Sequence, residues 1–215
     1  MISRRLFLVG AATAPLAACN TVQTAQQLPV DDDLAGWYIG SQPDDPYPIP
    51  LVDRSRIKAE YARQTVSHSG GQRPGTIIVD IDNRFLYLVQ DGGTAIRYGV
   101  GVGRQGFSWK GTAYVGRKAV WPDWRPTTTM VSLKPELPRH RKGGLDNPLG
   151  ARALYLYQGN RDILFRIHGT NEPWSIGEQV SSGCIRMLNE DVLDLYNRVP
   201  NGTTVLVRRN RRWRV

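Results

Sequence analysis

Cys184 and His168 are the side chains from which covalent chemistry can be read. Cys184 lies in Val180-Ser181-Ser182-Gly183-Cys184-Ile185-Arg186-Met187, and His168 closes an apolar run that begins at Ile163. A free thiol is mostly protonated at neutral pH, and a neighbouring imidazole raises its thiolate fraction, so the two together make a nucleophile with its base. The loop between them contains Gly and Ser, which lets the chain fold back and bring them together. Gly183 supplies backbone freedom before the thiol. The amides of Ser182, Gly183 and Cys184 can then converge on a developing oxyanion, the term that often dominates acyl transfer. Taken singly, each residue has a plainer reading: a lone cysteine is more often a small buried hydrophobe, and a histidine at a strand end is more often structural.

Cysteine usage strengthens the chemical reading. The chain has only 2 cysteines, Cys19 and Cys184. Ser3-Arg4-Arg5-Leu6-Phe7-Leu8 precedes a short apolar stretch that resembles a twin-arginine export signal and is too short to span a bilayer. Leu16-Ala17-Ala18-Cys19 resembles a lipobox, in which cleavage before Cys19 leaves that residue lipidated; plain cleavage at a nearby small-residue site is the alternative. In either case Cys184 stays unpaired in an oxidising compartment, which calls for a reactive role. His68, His140 and His168 show no ligand spacing with one mature cysteine, so no metal is expected. Gly101-Val102-Gly103-Arg104-Gln105-Gly106 matches a dinucleotide fingerprint by letter, but no helix start or alternating βα pattern follows. These glycines are read instead as a bend where backbones approach closely, and no cofactor is expected.

The elements that must position the pair are strands. Thr76 to Ile81, Phe85 to Val89 and Thr94 to Val100, joined at Asp82-Asn83 and Asp91-Gly92-Gly93, describe an antiparallel meander. Further strands are expected at Thr112 to Val120, Leu154 to Tyr157, Ile163 to His168 after a Gly159-Asn160 turn, and Thr203 to Arg208. One helix is predicted near the end, with Asn189 as N-cap, Glu190 and Asp191 in its first turn, Leu188 stapled onto Leu193, and Pro200 as its stop. The fold class is mainly β, a sandwich-like sheet with few short helices. The expected organisation is an export signal over 1–19, a tether and N-terminal arm over 20–73, a catalytic domain over 74–208 and a basic tail over 209–215.

His168, the loop and Ser181-Ser182-Gly183-Cys184-Ile185-Arg186, with Asp146-Asn147-Pro148-Leu149-Gly150 upstream, resemble the signature of the L,D-transpeptidase (YkuD-type) family. The similarity runs from about Pro74 to Val207. It implies that Cys184 attacks the acyl donor, that His168 acts as base and that the carbonyl of Gly169 orients the imidazole. The family commonly has histidine immediately before the Gly-Cys pair, whereas this chain has Ser182. The implied donor is a peptidoglycan tetrapeptide stem that loses its terminal D-alanine, and the implied thioester is resolved by an amine or by water. Arg186 is the candidate for holding a substrate carboxylate, with a structural salt bridge as an equal alternative. Trp174 is a candidate for lining a loop over the cleft, although plain packing is the commoner role.

Lysine and arginine outnumber aspartate and glutamate by 28 to 19, a balance that favours anionic partners without choosing among them. No nucleic-acid motif is present, and the C-terminal arginine run reads as a solvated tail. The expected partners are stem peptides, with a membrane reached through a lipid on Cys19, and the expected compartment is the periplasm. Two other readings share these residues: an L,D-carboxypeptidase or other thiol peptidase, and a catalytically silent wall-binding lipoprotein.

Overall fold

A computed structural model describes residues 36–103, 109–179 and 184–209. The export signal, Cys19, Ser182, Gly183 and residues 210–215 lie outside them. Among the described residues, one sheet runs in the order β3-β6-β5-β4-β12-β8-β9-β10-β11-β7. Its strands are β3 (Gln64–Ser67), β4 (Ile77–Asp80), β5 (Phe85–Val89), β6 (Thr94–Gly99), β7 (Gly101–Val102), β8 (Gly111–Val120), β9 (Arg152–Gln158), β10 (Arg161–His168), β11 (Ile185–Arg186) and β12 (Thr204–Arg208). Strands β1 (Tyr38–Gln42) and β2 (Ile49–Val52) pair separately as a hairpin. The turn residues behave as their chemistry requires. The Asp80 carboxylate accepts from the backbone and side-chain amides of Asn83 at 3.0 and 2.8 Å to close the β4–β5 turn, and Gly92 and Gly93 take φ of 70° in the β5–β6 turn.

The strand order has a geometric consequence. β6 lies beside one edge of the sheet and β7 forms the other edge, yet only Val100 separates them in sequence. The sheet therefore curls until its two ends meet, giving the sandwich-like form. Its inner face is the core: Ile77, Val79, Leu86 and Leu88 from one half meet Val115, Leu154, Leu156 and Ile167 from the other. Helix α2 (Asn189–Arg198) adds Val192 and Leu195 to that core. On β9, Leu154 and Leu156 point inward, so Ala153 and Tyr155 occupy the opposite face.

Several details differ from the sequence reading, among them the β1–β2 hairpin within the segment read as a tether and arm. The helix begins at Asn189, with Leu188 at the N-cap and no side-chain cap, because the Asn189 amide is turned back to bind other backbone. Leu188 and Leu193 pack into separate apolar clusters rather than as a staple. A short helix α1 (Thr128–Leu133) was not anticipated; the Thr127 hydroxyl caps it by accepting from the Met130 amide at 3.2 Å.

Residues 38–63 are tied firmly to the sheet and α2. Arg54 bonds Asp191 at 2.8 Å and Arg63 reaches Asp194 at 3.1 Å. Asp44 receives both terminal nitrogens of Arg152, at 2.6 and 2.8 Å, and the Trp121 indole N–H at 2.9 Å. Burial disfavours the Asp44 carboxylate, but these hydrogen bonds outweigh it and hold its pKa below the ordinary value. The Arg152 side chain is only 7% exposed, so removing its counterion strands a buried cation. Asp44→Asn is expected to cost about 3 kcal/mol and to lower Tm by roughly 10 °C. Thermal unfolding followed by circular dichroism checks this, and a shift below about 2 °C would show that the pair contributes little.

Candidate active site

Strand register sets the two candidate residues on neighbouring strands. β10 and β11 are parallel, with Ile167 opposite Ile185 and His168 opposite Arg186. One step back along this ladder, Cys184 falls opposite Arg166, and its carbonyl accepts from the Gly103 amide at 3.2 Å, continuing the β11–β7 pairing. Because side chains alternate, Ile167 and Ile185 enter the core while Arg166, His168, Cys184 and Arg186 share the outer face. Cys184 and His168 therefore lie on a diagonal across adjacent strands, on the same face.

The histidine is held in one tautomer. Its Nδ1 lies 2.5 Å from the Gly169 carbonyl. A carbonyl only accepts, so Nδ1 carries the proton and the lone pair is left on Nε2. Burial, followed by the charge of Arg186, pulls the His168 pKa down to about 3, against the opposing pull of the Gly169 carbonyl. The resting imidazole is neutral and able to accept a proton. The Gly169 peptide is itself fixed. Its N–H donates to Arg152 O at 3.0 Å, and the Asn189 Oδ1 accepts from Ala151 and Thr170 amides at 3.0 and 3.2 Å while its Nδ2 donates to Thr170 O at 2.9 Å. Glycine is required at this crossing, since a Cβ on either Gly169 or Gly150 would sit 2.2 Å from Asn189 Oδ1. Sequence reading had used Asn189 as a helix cap and so missed its role behind the imidazole.

The thiol does not rest as a poised anion. Burial pushes the Cys184 pKa above its ordinary value, although Arg166 and Arg186 work in the opposite direction. Burial thus favours the uncharged form of both the thiol and the imidazole.

The remaining candidate residues are placed as follows. Arg186 is ion-paired with Glu172, the structural alternative weighed for it. Trp174 is 41% exposed and packs on Trp37 of the arm, with ring centroids 5.9 Å apart. The glycine-rich stretch does bring backbones close: a Cβ on Gly101 would meet Ser175 O at 2.4 Å, which fastens the segment after His168 against β7. Arg166, beside Cys184, had not been singled out. It makes a two-pronged ion pair with Asp162 at 2.7 and 2.8 Å.

The buried neutral imidazole predicts acid sensitivity. Its folded pKa lies below the unfolded value near 6.5, so the unfolded chain binds the extra proton between pH 6.5 and about 3. The contribution is intact above pH 6.5 and declines as pH falls through that window, by on the order of 5 kcal/mol at full extent. Denaturant unfolding at stepped pH is expected to show a shallower decline in His168→Gln. Parallel slopes in the two proteins would contradict the assignment.

Comparison with known proteins identifies the family. The family model for the L,D-transpeptidase catalytic domain, YkuD, matches residues 74–207. The chain is 37% identical over 139 residues to a probable L,D-transpeptidase, YbiS, of Escherichia coli K12, covering 61% of this chain and 43% of that protein. It is 49% identical over 71 residues to the putative L,D-transpeptidase YkuD of Bacillus subtilis, covering 33% and 40%. The matched segment thus spans under half the length of these curated relatives. Among solved structures, one from Brucella melitensis, described as a probable carnitine operon oxidoreductase, is 47% identical, with TM-score 0.49 over 70% of this chain and 96% of that one. L,D-transpeptidase 3 of Mycobacterium tuberculosis is 18% identical, with TM-score 0.49 over 62% and 60%. With the family model covering well over half of the sequence, from the first strand of the meander to the last strand of the sheet, the chain belongs to the L,D-transpeptidase catalytic domain family.

Proposed function

We propose that this protein is an exported L,D-transpeptidase that acts on peptidoglycan stem peptides, with Cys184 as nucleophile and His168 as base. The observation that carries the reading is the β10–β11 register, which sets Cys184 on the same face as an imidazole whose Nδ1 proton is bound to Gly169 O. His168 Nε2 takes the thiol proton as sulfur attacks the carbonyl carbon of the third stem residue. The amides of Cys184, Gly183 and Ser182 stabilise the oxyanion. Collapse of the adduct breaks the bond to the terminal D-alanine, whose nitrogen leaves with the proton from His168. An amine of a second stem then attacks the thioester, gives its proton to His168 and releases the thiol. Water in place of that amine gives the carboxypeptidase reaction.

Purified disaccharide tetrapeptide followed by mass spectrometry separates the readings: cross-linked dimer for a transpeptidase, tripeptide for a carboxypeptidase, and unchanged substrate for a silent wall-binding protein. Cys184→Ala is expected to abolish both products, and His168→Ala to slow them on the order of 10²- to 10⁴-fold. A carbapenem is expected to add its whole mass to wild type and to Ser182→Ala but not to Cys184→Ala. Lack of any adduct on folded, reduced wild type would count against the thioester mechanism.

Export and lipidation belong to the same proposal. A fatty-acid probe is expected to label the mature protein at Cys19 and to spare Cys19→Ala, which should be released in soluble form. Labelling of that variant would refute the lipid assignment.

A further inference from the structure

Arg186 and Arg166 lie beside Cys184 on the outer face of the sheet, Arg117 lies further along the same face on β8, and their partners differ. Arg186 is neutralised by Glu172, and Arg166 by the two-pronged pair with Asp162. Arg117 is exposed and, among the described residues, has no carboxylate partner. It is nevertheless not loose. A register shift after Val115 sets Arg117 opposite Tyr155, and Tyr155 stands opposite Arg166. The Arg117 guanidinium lies over the Tyr155 ring at 3.5 Å from its centroid, and Arg166 lies over the same ring at 4.3 Å. Tyr155 is covered by these cations to 7% exposure.

We propose that Arg117, stacked on Tyr155, is a specificity residue that binds a carboxylate of the donor stem peptide, in the role that the sequence reading gives to Arg186; this rests on the transpeptidase reading of the same face of the sheet. A guanidinium that stacks through its face keeps its N–H donors in the plane, free to meet a carboxylate edge-on with two parallel hydrogen bonds. Stacking also removes much of the rotamer freedom that an exposed arginine would otherwise lose on binding. The row Arg117, Tyr155, Arg166, Cys184 crosses adjacent strands, which puts the Arg117 backbone about 14 Å from that of Cys184. Extended peptide advances about 3.4 Å per residue, so the carboxylate read by Arg117 lies within about four residues of the attacked carbonyl. Stem peptides are rich in carboxylates over that span. The neighbouring cations do not compete, because their charge is already matched.

Equilibrium binding tests this without relying on turnover. The full-length chain carrying Cys184→Ala is titrated with a tetrapeptide stem and with the same peptide whose side-chain and α-carboxylates are converted to carboxamides. Adding Arg117→Gln is expected to weaken binding of the carboxylate peptide about tenfold or more and to leave binding of the amidated peptide within about twofold. In the Cys184-containing enzyme the same change should appear in KM and spare kcat. Equal weakening for both peptides would reduce Arg117 to a packing role and overturn the proposal, as would unchanged affinity or no binding of either peptide. Failure of the broader reading looks different: wild type then gives neither products nor a carbapenem adduct, whatever residue stands at 117.

Discussion

The parallel pairing of β10 with β11 is the constraint from which the site follows. Parallel neighbours cannot be joined by a tight hairpin, so the chain must leave His168, travel outward and return before it can run alongside. The returning segment is anchored from three sides. Asn189 binds the backbone of Thr170, Ser175 O packs against Gly101, and Gly177 fits where a Cβ would clash with the Tyr61 ring at 2.3 Å. With both ends of the loop fixed, the register of two short strands sets which faces the reactive side chains share. A slip of one residue would turn Cys184 into the core and Ile185 out of it.

Electrostatics around the pair follow a division of labour. Arg186 and Arg166 each carry a carboxylate partner, and both still act against the upward shift that burial imposes on the Cys184 thiol. Burial disfavours charge on both the imidazole and the thiol and so favours the uncharged form of each. The N-terminal arm belongs to this arrangement as well. Asp44 matches the charge of Arg152, whose carbonyl receives the Gly169 amide, so the arm and the histidine are supported by the same strand.

Alternating β-branched and aromatic residues, with Asp, Asn and Gly at the turns, made the meander and the long strands readable, because period-two burial and turn chemistry are local properties. The candidate pair Cys184 and His168 was readable for a different reason: few residue types can form an activated thiol, and the chain has only 2 cysteines, Cys19 and Cys184. The hairpin at 38–52 escaped notice because its prolines mask short apolar contacts, and Ile49 and Val52 are buried only by distant partners. Asn189 looked like a helix cap because its sequence neighbours are those of a helix start.

From sequence alone came the mainly β class, the meander and the longer strands, the candidate pair and the family signature, all of which depend on residue type and near neighbours. Tertiary structure alone decided which face each side chain takes and which cation is already matched. It placed Glu172 on Arg186, Asp162 on Arg166 and the Tyr155 ring beneath Arg117. It also lodged the Asn189 amide behind the imidazole. The physical reason is that charge pairing and proton affinity depend on distances of a few ångströms between segments far apart in sequence, and those distances exist only once the sheet has curled and its strands have taken register.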